Sequence, residues 1–323
     1  MLGTLRFFLA WIVMLSHWPA LGFASGFNLG VTAVVLFYFI SGYLMYLSYE
    51  RKQSVKHFYI DRLLRLWPLY LIVLFSTALA VTLLAPIPSM SLLNQPLDAS
   101  KLLANGTIVL NNYVFAPWQL DTLLPHPLIP PAWSLGTEVH FYLLLPLLAY
   151  LFRRMPWLFY GIFFISLGCE LLAWSSNSPL FNADNFGYRY IPGVLWIFML
   201  GFLYASGSAK RWGKVLFGIL LLYATIGIPA LHATGSYVRE MLLGIMLIPV
   251  VLSVIRMKDF TGFDRKLGQL SYPLFLSHFL LFFIGMHYFE PSQMGWMVLP
   301  LIITATILAY IQYYVDKLRH KVL

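Results

Sequence analysis

Arg6 and His17 are the first residues whose types and spacing suggest chemistry, because they lie eleven positions apart in one apolar stretch, Leu5 to Phe23. Eleven residues at about 100° each return both side chains to one face of a helix, about 16 Å apart along its axis. A histidine within a membrane helix is costly and usually faces the bundle interior or a water-filled path. Its ordinary pKa suits it to proton transfer near neutrality. The pair predicts a polar path through the membrane, with Arg6 at one end and His17 near the middle. The competing interpretation is that His17 is a purely structural, hydrogen-bonded histidine.

Two arginines form the second group with possible chemistry. Arg62 and Arg65 lie three residues apart in the segment from Phe58 to Pro68, so they are neighbours on a helix surface. Each planar guanidinium can donate to two oxygens of a phosphate, which makes the pair suited to a phosphate or pyrophosphate. Ordinary anchoring at the cytoplasmic end of a membrane helix is the alternative explanation.

An acidic residue opens a third group, the segment from Pro131 to Tyr142. Glu138 is expected about one turn below the outer membrane surface, within reach of the depth of His17. A carboxylate there could orient the imidazole or stabilise its protonated form, as in catalytic triads. Compensation of the helix N-terminus is the simpler explanation for the same residue. Trp133 belongs to the same segment.

Two further segments contain small or polar residues within apolar runs. Ser41 and Gly42 follow one another inside the second run, which indicates close helix packing or room for a thin ligand. Tyr272 and His278 lie near the start of the ninth run, with His278 about 12 Å along the helix. No phosphate-binding glycine loop and no metal-ligand spacing occurs in the sequence.

The composition determines the kind of elements that must position these residues. The chain has 323 residues, of which 60% are hydrophobic and 10% charged, and this combination predicts a polytopic membrane protein rather than a soluble one. The single cysteine excludes an internal disulfide framework. The predicted fold is an all-α bundle of about ten transmembrane helices, near 5–23, 29–49, 66–86, 138–152, 157–175, 191–207, 213–231, 238–255, 270–288 and 296–315.

The orientation follows from the basic residues. Of the 21 Lys and Arg residues, all but Lys101, Arg189 and Arg239 fall on one side when ten crossings are drawn with both termini in the cytoplasm. The net charge of +9 therefore reflects topology, and its scatter over many loops argues against nucleic-acid binding.

The longest connection between the predicted helices runs over residues 87–137 on the outer side. Its apolar part, near 101–116, is interrupted by asparagines and a glycine, so it is expected to lie along the interface or to dip into the membrane and return. A loop of this length and composition suits a lid over an outward-facing site. No soluble domain is expected, which makes residues 1–323 a single integral-membrane domain.

Taken together, the segments resemble acyltransferase family 3, the polytopic enzymes that acylate bacterial surface sugars. The resemblance rests on five blocks in order: Leu5-Arg6 with His17, Phe37 to Tyr43, Arg62 to Pro68, Trp133 to Tyr142, and Leu267 to Tyr272 with His278. It implies an acyl-CoA donor, His17 as the essential catalytic residue with Glu138 in support, and Arg6, Arg62 and Arg65 at the donor site. The chain departs from some members in lacking a soluble esterase-like domain, and it has Asp316 where a glutamate is expected.

These expectations combine into one hypothesis. A membrane O-acyltransferase in the bacterial inner membrane would move an acyl group, acetyl on family grounds, from cytoplasmic acyl-CoA to a hydroxyl of a surface or periplasmic carbohydrate or lipid-linked glycan. His17 would act as general base, an acyl-histidine intermediate being less favoured. The substrate path would include Ser41, Trp133, Tyr272 and His278, with no metal and no permanently bound cofactor.

Three other classes compete with this hypothesis. A transporter of a glycolipid or acylated substrate would also place ionisable residues in the membrane, although no pair of interrupted helices in matching halves is evident. A member of the other large group of membrane-bound O-acyltransferases would have its histidine late in the chain rather than at His17. A scaffolding protein would leave the five polar blocks without a role.

Overall fold

The helices predicted from the apolar runs dominate the structure. A computed structural model describes residues 1–18, 27–84, 97–113, 127–176, 178, 180–207, 214, 218–219, 237–257 and 262–322. These residues form helices and connections, with no β-strand within the described ranges. The expected all-α membrane bundle is confirmed.

Eleven α-helices are described, and we number them in chain order. They are α1 (Leu2–Ser16), α2 (Leu29–Lys52), α3 (Val55–Leu83), α4 (Ala99–Gly106), α5 (Ala132–Arg154), α6 (Pro156–Ser175), α7 (Ile191–Ala205), α8 (Val238–Met246), α9 (Ile248–Arg256), α10 (Phe263–Tyr288) and α11 (Val298–Val322). A 3₁₀ turn at Val109–Tyr113 follows α4, a π-helical turn at Asn185–Arg189 precedes α7, and a 3₁₀ segment at Pro291–Met297 precedes α11.

Eight segments are long and apolar enough to cross a membrane, and α1 is a shorter apolar helix. Helices α8 and α9 together make one of the eight, with the break at Leu247, two residues before Pro249. The predicted crossing at 213–231 lies outside the described residues except for 214, 218 and 219. Within the described residues, nine of the ten predicted crossings therefore correspond to an observed apolar helix, with α1 as the shorter ninth.

The first helix is shorter than predicted. It ends at Ser16, and His17 is its C-terminal cap, whereas the prediction placed His17 inside a helix continuing to residue 23. The N–H groups of His17 and Trp18 donate to carbonyls three residues back, as in a tightened final turn. Trp18 precedes Pro19, and the residue before a proline is disfavoured in the helical conformation. Residues 19–23 lie outside the described ranges.

Several other helices extend beyond their predicted limits. Helix α3 begins at Val55 rather than 66, and α10 begins at Phe263 rather than 270, because charged residues that favour helix continue each helix past its apolar part. The side chain of Ser54 accepts the N–H of His57 at the start of α3. Arg62 and Arg65 therefore lie on a helix, as predicted.

Helix α2 packs closely against α7 through two glycines. A Cβ added at Gly42 would lie 1.9 Å from the carbonyl oxygen of Phe198, and one added at Gly201 would lie 2.1 Å from that of Phe39. The helix backbones are thus in direct contact, as small residues permit in membranes. Of the two interpretations of the Ser41-Gly42 pair, close helix packing applies to Gly42.

Replacing Gly42 with alanine is expected to destabilise the bundle by about 1–3 kcal/mol, because the new methyl group has no room against the α7 backbone. A lower melting temperature in detergent, measured by the fluorescence of the buried tryptophans, is the expected result. Gly161→Ala in α6 is the matched control, since nothing lies within 4 Å of its added Cβ. An equal melting temperature for both variants would contradict this packing.

The segment after α3 enters the bundle rather than covering it. Tyr70 donates to the carbonyl of Asn105, and Asn111 donates to the hydroxyl of Tyr70. Tyr70 lies about 20 Å below the outer end of α3, at 1.5 Å per residue. The buried amide of Asn112 donates to Thr137 and to the carbonyls of Trp133 and Arg189. Of the two expected arrangements, the described residues favour the one that dips inward, because Asn105, Ile108, Asn111 and Asn112 are buried in the protein. Residues 85–96 and 114–126 of the predicted loop lie outside the described ranges.

Both chain ends lie at the basic end of the bundle. The N-terminal ammonium is 3.6 Å from the carboxylate of Asp264, at the start of α10. Near the end of α11, Arg319 lies within 3.6 Å of Asp61, close to the start of α3. This placement agrees with the orientation inferred from the Lys and Arg distribution.

Candidate active site

Three cavities follow one face of α2 from end to end. Val34, Ser41 and Ser48 are spaced by seven residues, which keeps them on one face, about 10 Å apart. We call the three spaces the outer cavity, the middle cavity and the cytoplasmic cavity, the last being at the basic end. Val34 lines both the outer and middle cavities, Ser41 the middle one and Ser48 the cytoplasmic one.

The outer cavity has a volume of about 250 Å³ and contains His17 in its wall. Helices α1, α2, α5 and α10 and the π-helical turn contribute to it. Its polar lining residues are Ser16, His17, Asn28, Ser134, Tyr188, Arg189 and Tyr237, and its large apolar ones are Trp133, Phe275 and Phe279. Burial raises the pKa of Tyr237 above its ordinary value, so this phenol remains a hydrogen-bond donor.

The middle cavity, of about 60 Å³, lies between the other two. Arg6 and Glu138 both line it, together with Ser41 and Tyr272. It shares Val34, Ser134 and Phe275 with the outer cavity, so the two spaces meet at these side chains. Arg6 and His17, predicted to share one face of α1, thus line two adjoining cavities.

The cytoplasmic cavity, of about 490 Å³, is strongly basic. Its lining residues are Ser48, Arg51, Lys52, His57, Asp61, Arg62 and Arg319. Asp61 is the one acidic residue among them, and it binds Arg62 directly, Lys52 at 3.4 Å and Arg319 at 3.6 Å. The excess of positive charge suits a ligand carrying several phosphate charges.

His17 is hydrogen-bonded to a second histidine. Its Nδ1 lies 3.2 Å from Nε2 of the fully buried His278, and the rings are stacked with centroids 5.2 Å apart. The Nδ1 of His278 is 2.8 Å from the carbonyl oxygen of Phe275. A carbonyl only accepts, so this nitrogen carries the proton and Nε2 of His278 is the acceptor. His17 therefore donates through Nδ1, which leaves its Nε2 with the free lone pair that a general base needs.

The structure does not bring Glu138 into the hydrogen-bonding contact with His17 that the sequence predicted. The carboxylate of Glu138 accepts the hydroxyls of Ser41 and Tyr142, and it faces the middle cavity, not the outer one. Helix α5 begins at Ala132, so Glu138 lies about 9 Å along it rather than one turn from its start. The histidine on α10 occupies the position expected for the carboxylate.

The two predicted arginines of the phosphate pair have separate surroundings. Arg62 lines the cytoplasmic cavity, whereas Arg65 is not among its lining residues and pairs with Asp316 on α11. Asp316 also lies 3.4 Å from Arg319, so α3 and α11 are joined by one ion-pair network. Arg6 lies within electrostatic range of Arg62 and Arg65.

The remaining predicted site residues divide between the cavities. Trp133 lines the outer cavity, and Ser41 and Tyr272 line the middle one, where the hydroxyl of Tyr272 donates to the carbonyl of Leu66. His278, predicted to contact substrate, lines none of the three cavities and instead contacts His17. His140 lines none of the three cavities and is hydrogen-bonded to Tyr113 and Gly136.

Sequence reasoning missed several lining residues. Arg189 and Tyr237 in the outer cavity come from connections, and Arg319 in the cytoplasmic cavity comes from the far end of the chain. The sequence contained one signal for Arg189, namely that it is one of three basic residues on the outer side. Across the described chain, no group of three or more His, Cys, Asp or Glu side chains is arranged to hold a metal ion.

Long apolar helices around a row of cavities define a polytopic membrane protein. A family model described as an acyltransferase domain matches residues 2–314, so the chain belongs to acyltransferase family 3 and is a membrane acyltransferase. An uncharacterized protein of Aquifex aeolicus (strain VF5) is 36% identical over 214 residues, which cover 62% of this chain and 93% of that relative. No solved structure matches the chain.

Proposed function

We propose that this acyltransferase moves an acyl group, acetyl in the simplest case, from cytoplasmic acyl-CoA to a hydroxyl of a carbohydrate on the outer side of a bacterial cytoplasmic membrane. The observation that carries the proposal is the row of three cavities along α2. It has a basic cavity at one end and a cavity lined by His17 at the other. Both substrates of an acyl transfer would then reach one imidazole from opposite sides.

The donor's phosphates are assigned to the cytoplasmic cavity. Arg62, Lys52 and Arg319 converge there on a single carboxylate, that of Asp61, so their positive charge exceeds the negative charge within the site. Guanidinium groups bind phosphate oxygens through paired N–H donors, and an ammonium adds a point charge. Arg65, which pairs with Asp316 and does not line this cavity, is assigned to supporting structure rather than to direct contact with the donor.

The donor's pantetheine arm is assigned to the middle cavity. This arm is long, thin and uncharged, with two amide groups that each offer an N–H and a carbonyl. Glu138 is an acceptor for an amide N–H, and Arg6 is a donor for an amide carbonyl. Ser41 and Ser48, two turns apart on α2, mark the direction from the cytoplasmic cavity toward His17.

The chemical step is a direct transfer assisted by His17. Its Nε2 takes the proton of the acceptor hydroxyl as that oxygen attacks the thioester carbonyl. The tetrahedral intermediate collapses with cleavage of the carbon–sulfur bond, and the departing CoA thiolate takes the proton back from His17. The products are an ester and free CoA, and His17 ends in its starting form.

His278 acts as a positioning residue in this mechanism, because it holds the proton of His17 on Nδ1. Replacing His278 with leucine is expected to lower kcat by about 10²-fold, at the low end of what general-base catalysis contributes. The donor KM should change little, since His278 lines no cavity. Steady-state kinetics of CoA release in nanodiscs would measure both constants.

The informative comparison is His278→Gln. A glutamine can place its side-chain oxygen near the former Nε2 and accept from His17, so it should recover part of the lost kcat. If leucine and glutamine variants of equal thermal stability have the same kcat, the hydrogen bond has no role in positioning His17.

Glu138→Gln is expected to raise the donor KM about tenfold while changing kcat only a few-fold. Loss of one charged hydrogen bond to the donor's arm costs about 1.5 kcal/mol. The glutamine oxygen can still accept from Ser41 and Tyr142, so the packing should survive. Glu50→Gln, at an exposed pair with Arg153, is the control. A collapse of kcat at unchanged KM would instead support the original prediction that Glu138 acts on the imidazole.

A transporter is the second candidate, because cavities near both ends of one helix also suit a substrate path. The two functions differ in what crosses the membrane. A transporter delivers an intact molecule to the far side, whereas the proposed enzyme delivers only the acyl group and leaves CoA behind.

Sealed right-side-out vesicles containing the protein test the proposal. They are loaded with acetyl-CoA labelled in the acetyl group and incubated with surface glycan extracted from cells lacking the protein. We expect label in base-labile esters on the external glycan and free CoA inside the vesicles. Label outside as intact acetyl-CoA would favour the transporter, and no labelled ester would refute the proposed transfer.

A further inference from the structure

The outer cavity has an asymmetric charge that the transfer reaction does not require. Among its lining residues within the described ranges, Arg189 is the one with a permanent charge, and no acidic side chain lines it. A charged residue at membrane depth is costly and commonly marks a substrate path. A ligand that binds its guanidinium would explain why Arg189 lies in this wall.

Arg189 is held firmly in place by its neighbours. It ends the π-helical turn before α7, and such turns occur often at functional sites. Its backbone carbonyl accepts from Thr137 at 2.8 Å and from Asn112 at 3.0 Å. Asn112, in the 3₁₀ turn after α4, and Thr137, on α5, thus fix the backbone position from which the side chain of Arg189 extends.

The guanidinium is both ion-paired and stacked. Its Nε and Nη2 donate to one carboxylate oxygen of Asp184, at 3.2 and 3.1 Å. The guanidinium carbon lies 4.9 Å from the ring centre of Trp133 and 5.9 Å from that of Tyr188, both of which line the outer cavity. These contacts orient the group before any ligand arrives.

The ion pair does not neutralise the cavity. The side chain of Asp184 is 41% exposed and does not line the cavity, whereas that of Arg189 is 12% exposed and does. Water screens the exposed carboxylate much more than the buried guanidinium. The positive charge is therefore the one that a ligand in the cavity meets.

The rest of the wall suits a sugar. Trp133, Tyr188 and Tyr237 contribute aromatic rings to the wall, and Ser134 and Asn28 contribute short polar side chains. A guanidinium beside such a wall binds a carboxylate or a phosphate through paired N–H donors. His17 lines the same cavity, so a ligand held by Arg189 lies in the space that the general base serves.

We propose that the acceptor sugar carries an anionic group, a carboxylate or a phosphate, that binds Arg189 while one of its hydroxyls faces His17. This inference rests on the proposed function, since it concerns the acceptor of that transfer. An acidic sugar and a sugar phosphate share the required chemistry, and the experiment separates them.

Binding of three probes to the full chain in nanodiscs tests the proposal without requiring turnover. The probes are methyl glucuronide, glucose 1-phosphate and methyl glucoside, titrated by calorimetry at fixed ionic strength. We expect one anionic probe or both to bind at least tenfold more tightly than the neutral glucoside, and the tighter of the two identifies the source of the anion. Equal binding of all three, or no saturable binding of any probe, would overturn the proposal.

Variants of Arg189 test whether this residue causes the preference for anionic probes. Arg189→Gln should abolish the difference between anionic and neutral probes, and Arg189→Lys should retain part of it. Arg239→Gln is the matched control, because Arg239 is also a basic residue of the outer side but is exposed and lines no cavity. A charge preference that survives in Arg189→Gln would overturn the assignment.

The vesicle experiment distinguishes a failure of the anionic-acceptor proposal from a failure of the proposed acyl transfer. Labelled ester on external glycan combined with indifference to probe charge would refute the anionic acceptor alone. Absence of labelled ester would refute the transfer itself.

Discussion

Replacing His17 with alanine is expected to lower kcat for acyl transfer by about 10²–10⁴-fold, the range that a positioned general base contributes. The donor KM should remain close to its original value, because the phosphates and the arm are assigned to the other two cavities. Release of CoA from labelled acetyl-CoA by protein in nanodiscs is the measurement. This effect is the largest expected, since the described outer cavity has no other histidine and no carboxylate in its wall.

His140→Ala is the matched control for this experiment. His140 is likewise a histidine on a membrane helix with hydrogen bonds to its neighbours, but it lines none of the three cavities. Its loss should affect melting temperature more than kcat. Wild-type kcat in a well-folded His17→Ala variant would rule out the base mechanism. Label retained covalently on His17 in the absence of acceptor would instead support an acyl-histidine intermediate.

Replacing Arg62 with glutamine is expected to raise the donor KM by about 10- to 100-fold, because a hydrogen bond to a charged group contributes about 1.5–3 kcal/mol. The kcat should change little, since the reacting atoms are assigned to the outer cavity. Asp61 would keep Lys52 and Arg319 as partners, so the variant should still fold. The wild-type donor KM should also rise with salt, as expected for phosphate binding near a surface.

Variants of two other arginines test whether the rise in donor KM is specific to Arg62. Arg153→Gln removes an exposed cytoplasmic arginine paired with Glu50 and should leave the donor KM unchanged. Arg65→Gln should lower stability more than donor affinity, because Arg65 joins α3 to Asp316 on α11. If Arg65→Gln raises the donor KM as strongly as Arg62→Gln, the two arginines form one phosphate site, as the sequence alone suggested.

Much of the fold could be predicted from hydrophobic runs because the bilayer requires long apolar helices whose backbone groups are satisfied internally. The errors occur at helix ends. Helix α3 and helix α10 continue through charged residues that an apolar window excludes, and α1 stops before Trp18-Pro19 although its apolar composition continues. A local conformational preference decided that end, and the proline was the available signal.

The candidate site could be predicted only in part. Periodicity along one helix predicted that Arg6 and His17 share a face, because the side-chain angle per residue is nearly constant, and the two residues line adjoining cavities. It could not pair residues on different helices. By depth, the sequence predicted Glu138 as the partner of His17 and did not anticipate His278 in that role, which the packing of α10 against α1 brings to His17.

The sequence by itself determined that this chain is a membrane bundle, which of its ends is basic, and which family it belongs to, because these properties depend on composition and on local order along the chain. Only the tertiary structure decided that His17 is held by His278, that Arg62 and Arg65 have different partners, and that Arg189 faces the same cavity as His17. These relations join residues as far as 261 positions apart. They depend on how helices pack side by side, and helix periodicity carries no information about that packing.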